Sequence, residues 1–211
     1  MISNEQNQFV IEYDHKAKDY EDVWNIEQKY LEPSTISSIE QCMKWNDKNK
    51  DIHIFIRDTV KDIIIGEITI LPLSKEQFDK FMLNELEDTE INENTLLNFE
   101  RNTPCYLLFS AIAIDYRYRG NRIILSLLLT GFYNKLKYLI DKGITFINMC
   151  AEGQTLEGQK FIENFLDLKY KRDTKEGYKL YSFDNMEEFD TWIEKFPKYI
   201  NRYNEKLIAK Y

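Results

Sequence analysis

Arginine side chains cluster around a single glycine where one apolar stretch gives way to another. The junction reads AIDYRYRGNRI over residues 113–123 and contains four residues of interest: Arg117, Arg119, Gly120 and Arg122. The run before it, CYLLFSAIAI over 105–114, has no polar alternation, which predicts a strand buried on both faces. The run after it has apolar residues at helical spacing up to Ile140, and Lys142-Gly143 is a helix-stop signal. Cationic groups therefore lie at the N-terminus of a long predicted helix.

This strand–glycine–helix passage predicts an anion-binding site. The first turn of a helix has backbone N–H groups without acceptors and carries the positive end of the helix dipole. Gly120 allows a ligand to approach the backbone closely, and arginine forks match the oxygen atoms of a phosphate. We expect a phosphate or pyrophosphate here, with a turn carrying solvated arginines as the alternative. Neither of the phosphate motifs GxxxxGK[ST] and GxGxxG occurs in the chain.

Few residues in the apolar parts of the sequence could serve acid–base chemistry. Glu67 lies within the predicted strand IIGEITI, where burial of a carboxylate is unfavourable, and Glu152 follows the predicted strand ITFINMC. Both are candidate catalytic bases; the alternatives are a solvent-facing strand residue and an ordinary loop acid. His53 is a further candidate, with a structural histidine as its alternative. Ser110 is expected to pack in the core, and Cys150 has no evident histidine partner, which argues against a thiol nucleophile.

Hydrophobic periodicity predicts strands and helices along the rest of the chain. Strands are predicted over 9–13, 51–58, 61–73 and 144–150, with a terminal hairpin over 168–173 and 177–183. Helices are predicted over 19–31, from Ser34 or Ser37 to Trp45, and from Thr155 to about Leu166. The order predicts an α+β fold in three layers, with a mixed, mostly antiparallel sheet of six to seven strands flanked by helices.

Two segments fall outside this order. Residues 84–100, within a predicted insertion over 75–100, carry six acids and no base, which indicates either a solvated insertion or an acidic lip for a cationic substrate. Residues 184–211 are predicted to be a helical extension of a domain over 1–183, broken at Pro197. The aromatic residues of this tail either contact a partner protein, pack on their own domain, or pack on a second subunit in a homodimer: Trp192, Phe196, Tyr199 and Tyr203.

Composition narrows the classes of function. The chain has 211 residues, 43% of them hydrophobic, which predicts one folded domain with a core. A net charge of −8 argues against a nucleic-acid binder. The chain has three cysteines and no CxxC pair, which predicts reduced thiols in a cytoplasmic protein. No signal peptide or long apolar span is evident, so no membrane contact is expected. The usage of Lys, Asn and Ile suggests a bacterial or phage source. No clustered set of metal ligands is evident, so no metal is expected.

The junction resembles motif A of the GNAT superfamily of N-acetyltransferases, whose core is [Q/R]-x-x-G-x-[G/A]. In the segment AIDYRYRGNRIILSLLL, Arg117 falls on the Q/R position and Gly120 on the first glycine, and Ile123 and the leucines follow in register. The element order also matches the family over about residues 9–183. Arg122 departs from the pattern because it stands where the family has Gly or Ala.

The resemblance implies that acetyl-CoA is the co-substrate and that an amine attacks its thioester directly. It implies that the backbone of Ile112, Ala113 and Ile114 pairs with the pantetheine arm like an extra strand. Backbone N–H groups from Arg117 to Ile123, including Asn121, would surround the pyrophosphate. The fourth and fifth strands would separate to open a cleft, and a base such as Glu67 or Glu152 would remove the amine proton.

Two functions of different class follow from these residues. The first is an acetyl-CoA-dependent N-acetyltransferase acting on a primary amine of a small molecule or a peptide, with a cationic acceptor favoured by the acidic insertion. The second is a catalytically weak acyl-CoA-binding or protein-interaction module. Arg122 favours it, and so does the absence of a tyrosine on the helix after the fifth strand, where Phe161 is the nearest aromatic. Tyr170 and Tyr178 are the candidate substitutes for that tyrosine.

Overall fold

The computed structural model describes residues 8–208, and the side chains of residues 8–201. A seven-stranded sheet with the order β1-β2-β3-β4-β5-β7-β6 forms the centre. Its strands are β1 (Phe9–Glu12), β2 (His53–Asp58), β3 (Ile63–Leu73), β4 (Pro104–Ile114), β5 (Thr145–Gly153), β6 (Lys169–Asp173) and β7 (Lys179–Ser182). Neighbouring strands run antiparallel except for β4 and β5, which are parallel. The mixed, mostly antiparallel sheet predicted from the sequence is confirmed.

Helices cover both faces of the sheet. They are α1 (Ala17–Glu27), α2 (Ile39–Lys48), α3 (Lys75–Met82), α4 (Arg122–Asp141), α5 (Leu156–Phe161) and α6 (Met186–Ile208). One face packs against α4 and α6, and the other packs against α1, α2 and α3. The helix α2 begins later than Ser34 or Ser37, because the Ser38 side chain accepts the N–H of Gln41 and caps it. The helix after β5 is α-helical only to Phe161 and continues as a π turn over Ile162–Leu166.

The longest apolar helix, α4, lies against the middle of the sheet. By length and composition it could cross a membrane, but half of it is buried inside the protein. Its apolar face is fully buried at Ile124, Leu128, Phe132 and Leu136. At Gly131 a Cβ atom would lie only 2.8 Å from the Ile54 side chain, so glycine is what allows α4 this close to β2. These contacts identify α4 as a core helix.

The C-terminal helix runs through the proline that was expected to break it. Pro197 lies inside α6, so the predicted break is wrong. Phe189, Trp192 and Phe196 are each at most 2% exposed and pack into the cluster that contains the sheet and α4. This burial offsets the roughly 3 kcal/mol that an interior proline costs a helix. The face with Trp192 and Phe196 is thus packed on its own domain; the side chain of Tyr203 lies outside the described residues.

The acidic insertion is anchored to the domain. Ile91 and Leu96 are buried beside Trp45 of α2, whose indole N–H donates to the Ile91 carbonyl at 2.7 Å. This anchoring brings a short turn, Asp88–Glu90, against Ser110 of β4. The insertion therefore contributes side chains to the interior.

A buried arginine ties the other end of the sheet to α1. The guanidinium of Arg57 on β2 contacts Glu12 through two 2.8 Å hydrogen bonds and Asp19 through one of 2.6 Å. Asp19 is 1% exposed, so its charge is compensated only because this arginine is present.

Candidate active site

The pairing between β4 and β5 ends before either strand does. Phe109 is the last β4 residue with a β5 partner, Ala151. Beyond that point β5 pairs only with β7, and β4 pairs only with β3 as far as Ile114. The strands therefore separate, as the resemblance implied, and leave one edge of residues 110–114 without a strand partner. This loss of a neighbour also explains why residues 110–114 are half-exposed, although the apolar run predicted burial on both faces.

A bulge occurs on β4 where the strands separate. Thr69 of β3 is opposite Ala111 and the next residue, Ile70, is opposite Phe109, so Ser110 has no partner on β3. The Ser110 hydroxyl donates a 2.9 Å hydrogen bond to the carboxylate of Asp88. Ser110 was expected to pack in the core; it lines the gap instead and fixes an acidic side chain there.

The loop between β4 and α4 keeps only part of its backbone free for a ligand. The N–H groups of Arg117 and Ile123 bond to the side chains of Asp115 and Asn121, at 2.9 and 3.0 Å. Tyr118, Arg119 and Asn121 donate to carbonyls within the loop. Among the residues described, the N–H groups of Gly120 and Arg122 have no acceptor. Gly120 has a φ of +81°, and a Cβ there would meet nothing within 4 Å, so the backbone is bare at this point.

The three arginines of the junction have different positions. Arg117 forms a bidentate pair with Asp115 and does not line the central cavity. Arg119 lies over the ring of Tyr30, 4.1 Å from its centre, and Arg122 begins α4; both line the cavity. Of the two residues that follow in the motif, Asn121 lines the cavity and Ile123 packs against the core.

A cavity of about 750 Å³ extends from this loop through the gap to the α1–α2 side of the sheet. Ile112, Ala113 and Ile114 line it, and the Tyr30 hydroxyl donates to the Ile114 carbonyl at 2.9 Å. Seven carboxyl side chains line it, and four of these, from different elements, have raised pKa values: Glu27 on α1, Glu67 on β3, Asp88 in the insertion and Glu152 on β5. The structure thus brings both predicted bases, Glu67 and Glu152, to one cavity with the predicted anion site.

Two of these carboxyl groups lie near the point where the strands separate. Burial raises the pKa of Glu152 to about 7, and the negative charge of Asp88 adds to this rise. A hydrogen bond from Gln154 opposes it. Burial likewise raises the pKa of Asp88 to about 6, and the bond from Ser110 opposes that rise. A carboxyl group with a pKa near neutrality can accept a proton and release it again under ordinary conditions.

The other two carboxyl groups form a buried pair. Glu67 is 2% exposed, so it does not point to solvent, and it lies within hydrogen-bonding reach of the Glu27 carboxyl. Burial and the Glu27 charge raise the pKa of Glu67 well above its ordinary range. Burial raises the pKa of Glu27 to about 7, while the contact with Glu67 lowers it. The pair therefore holds a shared proton near neutral pH.

A chain of polar contacts leads from this pair to His53. The imidazole Nδ1 of His53 lies 2.9 Å from the Thr69 hydroxyl, which in turn donates to Glu67 at 3.4 Å. Burial lowers the pKa of His53 to about 3, so the ring is neutral. Three buried atoms lining the cavity have no hydrogen-bond partner in the described structure: Nε2 of His53, Oε1 of Glu67 and the Tyr20 hydroxyl.

The other residues singled out from the sequence are Cys150, Phe161, Tyr170 and Tyr178. Cys150 is fully buried, and burial raises its pKa, so the thiol is unreactive. Phe161 lines the cavity and stacks on Phe165, at the position where a tyrosine was sought. Of the two substitutes, Tyr178 lines the cavity and Tyr170 does not. Within the described residues, no group of three or more acidic, His or Cys side chains converges as a metal site would require.

Sequence reasoning missed Asp88 and Glu27. Asp88 was one of six acids in a segment whose path could not be read from its own composition. Glu27 lies on the buried side of an amphipathic helix among residues that look like ordinary helix polar positions. Neither had a local signal, because both reach the cavity through contacts between distant parts of the chain.

No protein-family model and no curated protein matches the sequence. Solved structures match the fold at low identity. The NatC complex bound to Gag peptide and CoA has a TM-score of 0.54 at 9% identity, over 83% of this chain and 96% of that one. An N-acetyltransferase from Staphylococcus aureus Mu50 has a TM-score of 0.51 at 13% identity, over 83% and 98%. Naa50 of Arabidopsis thaliana, in complex with the bisubstrate analogue CoA-Ac-MVNAL, has a TM-score of 0.50 at 11% identity, over 84% and 99%. The chain thus has the fold of the GNAT N-acetyltransferases, as expected from its sequence.

Proposed function

We propose that the protein is an acetyl-CoA-dependent N-acetyltransferase acting on a primary amine of a small molecule or peptide. One observation carries the proposal: the gap between β4 and β5 joins a bare, cationic helix N-terminus to a cavity lined by carboxyl groups with raised pKa values. The fold supports it, since two of the similar structures contain CoA or a CoA-based analogue together with a peptide.

The residues present fit acetyl-CoA. The unpaired edge of residues 110–114 offers N–H and C=O groups to an extended pantetheine arm, in the way an added strand is bound. The free N–H groups of Gly120 and Arg122, with the Arg119 guanidinium, suit a pyrophosphate. The side chain of Arg122 supplies charge here, whereas the family pattern has a small residue at this position.

The proposed reaction is a direct acetyl transfer. The nitrogen of a neutral amine attacks the thioester carbonyl, a C–N bond forms, and the C–S bond breaks to release CoA. Glu152 accepts the proton lost by the amine. The negative charge of the neighbouring Asp88 makes Glu152 more basic. Tyr178, which also lines the cavity, carries the only phenol among the sequence candidates that could protonate the leaving thiolate.

Acetyl transfer is tested by incubating the protein with acetyl-CoA and a panel of amines and N-terminal peptides, and detecting the acetylated product by mass spectrometry. We expect a product with the wild type and a loss of about 100-fold or more in Glu152→Gln, which keeps the shape of the side chain. Glu194→Gln, exposed on α6 and outside the cavity, is a variant for comparison. Turnover that is the same in Glu152→Gln and the wild type would contradict the role given to Glu152.

A catalytically weak acyl-CoA-binding or interaction module is the second candidate. It is favoured by Arg122 at a position where the family pattern has Gly or Ala, and by Phe161 in place of a tyrosine. Binding of acetyl-CoA without turnover across the whole panel would favour this module over the enzyme.

A further inference from the structure

The α1–α2 end of the cavity contains three buried polar atoms that have no hydrogen-bond partner among the described residues. They are Oε1 of Glu67, Nε2 of His53 and the hydroxyl oxygen of Tyr20. These residues are 2%, 1% and 3% exposed, and all three line the cavity. Buried polar atoms are almost always hydrogen-bonded, so three in one place indicate a missing donor.

The hydrogen-bond directions identify which kind of donor is missing. When Glu67 is ionised, the Thr69 hydroxyl donates to its Oε2, and Thr69 can then accept from Nδ1–H of His53. In this tautomer Nε2 of His53 carries a lone pair and is an acceptor. The ring of Tyr20 lies 5.4 Å from that of His53, on the same side of the sheet. An ammonium group has three N–H donors, and all three atoms can accept from it: a carboxylate oxygen, an imidazole nitrogen and the phenol oxygen of Tyr20, which accepts as well as donates.

Charge leads to the same conclusion. The carboxyl groups of Glu67 and Glu27 face each other here, and none of the ion pairs among the described residues joins a lysine or arginine to either of them. An ammonium group between the two carboxyl groups would replace the proton that they share, which is released to solvent, and would compensate both negative charges. A divalent metal is not favoured, because no three ligand side chains converge among the described residues.

This ammonium site is too far from the reaction site to hold the reacting amine. Glu67 is opposite Ala113 on β4, whereas Asp88 is bonded to Ser110, where β4 and β5 separate. Three strand residues span about 10 Å. Ala113 is opposite Glu67, and Ala111 is opposite Thr69, on the same face of the sheet. These small side chains leave open the space between the ammonium site and the reaction site. A nitrogen held at Glu67 also stays protonated, and a protonated amine cannot attack.

We propose that the acceptor is a diammonium compound, an α,ω-diamine, whose distal ammonium binds between Glu67, Glu27, His53 and Tyr20 while its other amine is acetylated near Glu152. This inference rests on the proposed acetyltransferase function and specifies its substrate class. Glu67 and Glu27 then determine specificity and take no part in proton removal at the reacting nitrogen.

The test compares diamines with monoamines of the same chain length. Cadaverine is titrated against n-pentylamine, and heptamethylenediamine, whose extended chain matches this span, against n-heptylamine, by calorimetry with and without saturating CoA; the acetyl-transfer kcat/KM is measured for the same pairs. In the wild type we expect the diamine of at least one pair to bind about tenfold more tightly or better, because a charged hydrogen-bonded contact contributes that much. Glu67→Gln should abolish this preference and leave monoamine binding little changed.

Two further variants complete the design. Glu27→Gln is a second probe of the ammonium site, in case Glu67→Gln is poorly folded, and it should reduce the diamine preference in the same direction. Glu21→Gln is the matched control, because Glu21 is on the same helix as Glu27 but exposed and outside the cavity. It should keep the full preference for diamines.

The outcomes separate this inference from the proposed function. The diammonium proposal is overturned, and the acetyl-CoA site stands, if CoA binds but diamines and monoamines bind equally. The same holds if CoA binds and neither kind of amine does. If the preference for diamines persists in both Glu67→Gln and Glu27→Gln, the assignment to this pair is wrong. If diamines bind at Glu67 but acetyl-CoA does not bind, the ammonium site stands and the acetyltransferase proposal fails.

Discussion

Replacing Glu27 by glutamine should make the protein more stable at neutral pH, and the gain should disappear in acid. Glu27 faces Glu67 in the cavity, and burial is the main reason that its pKa rises to about 7. Holding a carboxylate there is unfavourable once it ionises. Glutamine has the same shape, carries no charge, and its amide can donate to Glu67, so the contact is kept without the repulsion.

The magnitude follows from the pKa of Glu27. One pKa unit corresponds to about 1.4 kcal/mol, so a rise from 4.5 to about 7 corresponds to at most about 3.5 kcal/mol. Glu27 is only half-buried, and solvent screens part of this, so we expect about 1–2 kcal/mol. The folded state binds the proton more tightly than the unfolded state, so the Glu27 contribution to stability is lost as the pH rises from 4.5 to about 7.

The assay is urea denaturation followed by tryptophan fluorescence at about pH 4 and about pH 8. At pH 8 the unfolding free energy of Glu27→Gln should exceed that of the wild type by the amount above, and at pH 4 the two should agree. Glu21→Gln, exposed on the same helix, should match the wild type at both. A Glu27→Gln variant that is less stable at pH 8, or shifted equally at both pH values, would refute the account of this pair.

Three further predictions concern other parts of the molecule. Arg57→Met should lower the unfolding free energy by about 3–5 kcal/mol in urea denaturation, because it leaves the buried Asp19 without its cationic partner; a loss below about 1 kcal/mol would show that Asp19 does not depend on it. In wild-type acetyl transfer at saturating amine, kcat should rise with pH through about pH 7, the pKa of Glu152; a Glu152→Gln variant that keeps this limb would assign it to another group. Trp192→Ala should cost about 3–5 kcal/mol in thermal or urea unfolding, since the side chain is 2% exposed; a neutral effect would favour a partner-binding role for the tail.

The sequence was sufficient where structure depends on neighbouring residues. The junction over 113–123 has the predicted strand, glycine and helix start, because a positive φ at Gly120 and the Asn121 cap are local properties. The side-chain caps made by Asp115 and Asn121 are local as well, yet they were not anticipated, and they use two of the N–H groups that the pattern assigned to a ligand.

Tertiary contacts decided the rest. Whether Glu67 faced solvent or the interior depended on α1 covering that face of β3, which alternation along one strand does not reveal. Pro197 breaks helices in general, but the aromatic face of α6 buries enough apolar surface to hold the helix together around it. Asp88 and Glu27 reached the cavity only through packing between distant segments.

Calorimetric titration with acetyl-CoA tests the central claim most directly. The wild type should bind with micromolar affinity, and an Arg119→Ala, Gly120→Asp double variant should bind about 100-fold more weakly, because it loses a cation and places a carboxylate at the bare backbone. Aspartate tolerates positive φ, and Gly177→Asp is the matched control: Gly177 has a φ of +86° and equally open surroundings in the β6–β7 turn. Tight binding lost only in the double variant would establish the junction as the pyrophosphate site. No binding by the wild type, or equal binding by the double variant, would contradict it.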